Sequence, residues 1–135
     1  MPQTSGAKTG ELRLTFAALR ESLAVHSERL LVTVDKPGDY QLCSRTLKDR
    51  TGRPLFVAGI QIKKNYVSYH LLPIYMAPAL QKKIPPALKK RMQGKACFNF
   101  TAIESQQIKE LAALTRRGIE VFNDIKLPWE KPTKR

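Results

Sequence analysis

Apolar residues recur along this chain with two periods, and the switches between them mark its elements. Leu12, Phe16, Leu19, Leu23 and Leu30 fall on one helical stripe, with Arg13, Arg20 and Glu21 off it. That pattern predicts a first helix over residues 11–27. LLVTV (30–34) is short and β-branched and predicts a strand, closed by the turn cluster Asp35-Lys36-Pro37-Gly38-Asp39. A second strand follows over 40–45, then a second turn at Asp49-Arg50-Thr51-Gly52. Residues 55–62 are apolar on both faces, as in a central strand. Lys63-Lys64-Asn65 makes a tight connection to a fourth strand over 66–72, so the third and fourth strands form a hairpin.

Pro73 ends that strand, and Pro78 and Pro85-Pro86 each stand where a short helix can begin without losing a hydrogen bond. The second short helix is expected over 86–93 and stops at Gly94, with Leu88 and Met92 inward and Lys89, Lys90 and Arg91 outward. KACFNFT (95–101) alternates as a last strand. Ile108, Leu111, Thr115, Ile119 and Phe122 form the stripe of a long final helix, with Ser105 as its N-cap. The order is α+β: one antiparallel sheet of about five strands with two long helices on one face. Three stretches follow: a polar leader (1–10) expected to be disordered, a single domain (11–125), and a basic, proline-containing tail (126–135) whose Trp129 either folds back onto the body or stands as a free hydrophobic anchor.

Strand alternation then sorts the sheet. Tyr40, Leu42, Val67, Tyr69, Leu71, Ala96, Phe98 and Phe100 suit the helix side. Gln41, Cys43 and Arg45 fall outside, and the open face collects Gln61, Tyr66, Ser68, His70, Lys95, Cys97 and Asn99. A slip of one residue in register would invert this assignment.

Charge changes the picture most. The chain has 24 basic and 11 acidic residues, a net of +13, yet residues 50–103 hold no Asp or Glu. That stretch carries Arg50, Arg53, Lys63, Lys64, Lys82, Lys83, Lys89, Lys90, Arg91 and Lys95. Such one-sidedness bears on partners rather than on fold. Cations clustered from Lys82 to Lys95, beside the N–H groups that open the second short helix, suit phosphate, and six such contacts would give a salt slope of about −5.

Composition excludes other classes. Hydrophobic residues make up 42% of the chain, too many for a disordered basic tail. No apolar run follows a basic start and none reaches membrane length. Cys43 and Cys97 match neither a disulfide framework nor a zinc spacing, and they suit the reducing cytoplasm as buried thiols. No nucleophile elbow, phosphate-binding loop, dinucleotide fingerprint or zinc-protease motif is present. Tyr66, Ser68 and His70 alternate as a nucleophile beside a base would, but no third member or oxyanion hole accompanies them. His26 lies near the end of the first helix, where a cation suits the dipole.

KKNYVSYHLLPIY (63–75) and LKKRMQGKACFNF (88–100) resemble the YdhG-like domain family, a bacterial group mostly of unknown function. The shared features are the YVSYHL hairpin, a proline-broken helical link, and Gly94-Lys95 with Phe98 and Phe100 before the closing helix. The resemblance runs from about Phe16 to Phe122. It implies a frataxin-like fold, a sheet face that meets partner proteins and, from one branch, an iron chaperone. Iron binding of that type uses carboxylates on the first helix and neighbouring strand edge. Here these are Glu11, Glu21, Glu28, Asp35 and Asp39, interspersed with Arg13, Arg20, Arg29 and Lys36.

The function expected from these observations is a non-enzymatic binding module for an acidic protein or polyanion, acting through Lys63, Lys64, His70, Lys89, Lys90, Arg91 and Lys95. No cofactor is expected. The alternatives are iron binding through His70, Cys97 and a few carboxylates, and nucleic-acid binding.

Overall fold

The computed structural model describes residues 2–94 and 96–124, with side chains for 10–94 and 96–122. The expected tail with Trp129 lies outside them, as does Lys95. Helix α1 (Pro2–Ala24) leads into strands β1 (Leu31–Lys36), β2 (Asp39–Lys48), β3 (Pro54–Ile62) and β4 (Val67–Leu71). Three short helices follow, α2 (Leu72–Met76), α3 (Pro78–Gln81) and α4 (Pro86–Lys89), then β5 (Cys97–Phe100) and α5 (Ser105–Asp124). The five strands form one antiparallel meander in the order β1-β2-β3-β4-β5. The expected α+β architecture is present, with one short helix more than expected.

α1 begins at Pro2 rather than at residue 11, so the stretch read as a disordered leader is helical from Pro2. Proline at a first helical position gives up an N–H that would have had no partner. The apolar stripe behaves as the spacing requires: Leu12, Phe16, Leu19 and Leu23 are buried, and Leu30 folds back under the helix end. Arg20 fixes α1 to the sheet edge. Its Nη2 donates to both carboxylate oxygens of Asp35 at 2.9 Å, and its guanidinium lies 4.5 Å from the centre of the Tyr40 ring.

In the turn after β2, Asp49 Oδ1 accepts from Thr51 N at 2.9 Å, Thr51 Oγ1 at 2.6 Å and Arg53 N at 3.0 Å. These donors hold the Asp49 carboxyl below the usual range, Thr51 Oγ1 most strongly. β3 shows why its sequence looked apolar on both faces. Leu42 pairs with Ala58 but Cys43 with Phe56, so Val57 is an extra residue, and Val57 and Ala58 both join the core.

Two expectations at helix ends are corrected. The helix begun at Pro86 ends at Lys89, not at 93. Beyond it, Asn99 N donates to Arg91 O and Gln93 N to Cys97 O, both at 2.8 Å, and Met92 bridges Phe98. Residues 91–93 therefore cover the outer edge of β5, supplying partners that a continued helix would leave unmet. At α5 the cap is Glu104, not Ser105: the Glu104 carbonyl accepts from Ile108 N at 3.0 Å, and Gln107 Oε1 reaches back to Glu104 N at 3.1 Å.

The core lies between the sheet and the helices, which all pack on one side. Leu88 of α4, Ile74 of α2 and Leu111, Leu114, Ile119 and Phe122 of α5 meet Tyr40, Leu42, Ile60, Val67, Leu71, Phe98 and Phe100. α5 approaches α2 so closely that a Cβ on Gly118 would stand 2.9 Å from Pro73 Cβ. Thr115 Oγ1 donates to Leu111 O at 2.8 Å and so accepts the Tyr69 hydroxyl proton at 2.6 Å, joining β4 to α5 inside the core. Burial pushes the Tyr69 phenol well above its ordinary range. Among the described residues no helix is long and apolar enough to cross a membrane.

Candidate binding face of the sheet

The strand register places polar side chains on the face opposite the helices, in two rows. Gln41, Gly59, His70 and Cys97 lie side by side across β2 to β5, and the next row is Asp39, Gln61, Ser68 and Asn99. Arg91 stands opposite Asn99, and Gln93 opposite Cys97, beyond the edge of β5. Met92 between them packs on the core, so alternation turns Arg91 and Gln93 to the open side.

The centre of this face is a half-buried cluster. His70 Nε2 is 3.4 Å from Ser68 Oγ and 3.8 Å from Cys97 Sγ, and the thiol donates to Asn99 Oδ1 at 3.5 Å. Burial, and then the Lys63 ammonium, hold His70 below its ordinary pKa. Burial also pushes the Cys97 thiol up, against a smaller opposite pull from Lys63. At neutral pH the pair is therefore imidazole and thiol, not imidazolium and thiolate, so it lacks the charge state of an activated cysteine nucleophile. Ser68 is only 2% exposed, which leaves its hydroxyl out of reach of a substrate. The cluster offers hydrogen bonds.

Beside it lies a shallow pocket of ≈ 250 Å³, lined by Gln41, Phe56, Gly59, Gln61 and His70. Phe56 and Gln41 pack closely over Gly59 at one side of this pocket. A Cβ there would lie 3.0 Å from two Phe56 ring carbons and 3.2 Å from Gln41 Cγ. Phe56 and His70 meet edge to face at 6.5 Å and 75°. Sequence reasoning missed Phe56 and Gly59, although a lone glycine inside an apolar strand marks a bulge or a close approach.

The expected site residues divide. Lys63 acts electrostatically on both His70 and Cys97, and Arg91 flanks the face at the β5 edge. Gln61, Ser68, His70, Cys97 and Asn99 fall on the face as alternation requires. Tyr66 belongs to the loop before β4, where its carbonyl accepts from Lys63 N at 2.7 Å. Lys64, Lys89 and Lys90 are exposed. α4 is one turn of four residues, too short for the dipole that was expected to attract phosphate. Lys83 turns away from the sheet. It lines a groove of ≈ 760 Å³ with Arg116, Arg117 and Glu120, over a floor that includes Pro78, Leu80 and Val121. Arg116 and Arg117 come from α5, outside the acid-free stretch, and entered no expectation.

Cys43 is buried, as expected, and Cys97 half-buried. His26 departs from its expected role as a helix-end cation: burial, then Arg29 and Arg116, hold it toward the neutral form. Of the carboxylates considered for iron, Asp35 is engaged by Arg20, and Asp39 Oδ1 accepts from Gln41 Nε2 at 3.0 Å. Among the described residues no three His, Cys, Asp or Glu side chains come together to hold a metal ion. Comparison with protein-family models, curated proteins and solved structures finds no match to this chain.

Proposed function

We propose that this chain is a binding module for an acidic partner, a protein or a polyanion, which it meets on the open face of its sheet. One observation carries this: the face without a helix among the described residues bears a neutral, hydrogen-bonding centre, with Lys63 and Arg91 at its flanks. Positive charge thus stands at the edges of a surface that remains able to bind. A frataxin-like fold of the YdhG-like type belongs to the same proposal, supported by the five-stranded meander with both long helices on one face. A cytoplasmic setting is supported by two thiols left unpaired.

Titrating fluorescein-labelled heparin and a labelled polyglutamate across a salt series, read by anisotropy, tests the function. Three to five ionic contacts predict a slope of log K against log salt of about −2 to −4 for a flexible polyanion. Binding that is absent at low salt, or unchanged by salt, refutes it.

A further inference from the structure

Resting on the open-face binding proposed above, we infer that the pocket over Gly59 takes one unstacked base of a single-stranded nucleic acid, while Lys63 and Arg91 meet the adjoining phosphates. The lining decides between the two kinds of acidic partner. Gln41, Phe56, Gly59, Gln61 and His70 include no cation. An acidic peptide side chain seated there would lose water and gain no counter-charge, which is costly for a carboxylate. A base is planar, uncharged and rich in edge donors and acceptors. It stacks on an aromatic ring and pairs with carboxamides, each of which offers both a donor and an acceptor. Phe56 and the two glutamines supply these elements in the lining. The imidazole of His70 is kept neutral, so it too offers hydrogen bonds in place of charge.

Size and surroundings agree. At ≈ 250 Å³ the pocket is smaller than those that enclose a whole small-molecule ligand, about 300–1,000 Å³, and it suits one unit of a longer chain. The cations lie outside the pocket, at the hairpin loop and beyond β5, where a backbone crossing the sheet would pass. A sheet face with an aromatic platform and flanking cations is a physical basis for binding single strands with little sequence preference.

The test uses fluorescein-labelled DNA and RNA of about eight nucleotides, an abasic deoxyribose-phosphate strand of the same length and a polyglutamate of equal charge, all read by anisotropy. The intact strands should bind at least about tenfold more tightly than the abasic strand, within what stacking one base contributes. The difference between the DNA and RNA arms reports whether a 2′-hydroxyl is read. Gly59→Ala pushes the Phe56 ring and Gln41 out of place, and Phe56→Leu removes the ring. Each should bring the ratio of intact to abasic affinity towards one. Gln61→Ala, at a half-exposed position, should do so in part and guards against misfolding of the other two, which circular dichroism melts would reveal. Equal affinity for intact and abasic strands overturns the base pocket and leaves polyanion binding standing. Tighter binding of polyglutamate overturns it in favour of an acidic protein. If no probe binds, the open-face function falls with it.

Discussion

The two faces of the sheet are made from alternate residues of the same strands, yet they follow different rules. On the helix side Leu42, Ile60, Val67, Leu71, Phe98 and Phe100 are almost wholly excluded from water, and the hydroxyl pair of Tyr69 with Thr115 is satisfied within the core. On the open side Gln41, Gln61, His70, Cys97 and Asn99 are half-buried, His70 and Cys97 make only long or sulfur-mediated contacts, and Lys63 and Arg91 stand at the flanks. The first face stores the free energy of folding. The second keeps hydrogen-bonding capacity and charge for something else.

The strongest way to break this comparison is to truncate matched positions on the two faces. Phe98→Ala should cost about 3–5 kcal/mol by denaturant unfolding, through lost burial and a residual cavity. Gln61→Ala should stay within about 0.5 kcal/mol. Similar costs would mean that the open face is part of the folding core. Next in size is a charge comparison. Lys63→Ser with Arg91→Ser should weaken binding of a single-stranded probe about tenfold at 0.15 M salt and lower the salt slope by about 1.4. Arg116→Ser with Arg117→Ser, in the groove on the helix side, should leave both unchanged, and the reverse result would move the site to that groove. Tyr69→Phe should cost about 1 kcal/mol, since Thr115 keeps its bond to Leu111. No effect there would show that the core does not depend on the Tyr69–Thr115 hydroxyl pair.

The smallest effect is a pH dependence. His70 and His26 both titrate below their unfolded value of 6.5 in the folded protein. As pH falls through 6.5 the unfolded chain takes up protons first, so stability declines with acidification until the folded-state values are passed. Their contribution is whole above 6.5 and lost below the depressed values. His70→Gln and His26→Gln should each flatten the decline between neutral and mildly acidic pH in thermal melts, and an unchanged profile would assign the acid sensitivity to other groups.

Much of this was legible along the chain because it depended on period. The stripe from Leu12 to Leu23 and the alternation Val67, Tyr69, Leu71 stated which side chains would be buried, since a helix or strand repeats its faces whatever it packs against. The polar cluster of Ser68, His70, Cys97 and Asn99 was readable for the same reason, once β4 and β5 were taken as neighbours. The misses fell where periods are interrupted. The bulge at Val57 moved Phe56 to the open side, the segment 91–93 left a helix to guard an edge, and Glu104 rather than Ser105 capped α5. Each depends on a partner distant in the chain or on a backbone detail that several sequences satisfy.

By itself the sequence determined the α+β order, the inward face of each long element and the presence of unbalanced positive charge, because these follow from local spacing and composition. Only the tertiary structure decided which charges share a surface. It divided the acid-free stretch, with Lys63 and Arg91 toward the open face and Lys83 toward Arg116 and Arg117. It also opened a pocket over Gly59. The reason is physical: net charge adds along a chain, but a binding site requires convergence in space, and convergence is set by strand register and edge pairing that no single segment encodes.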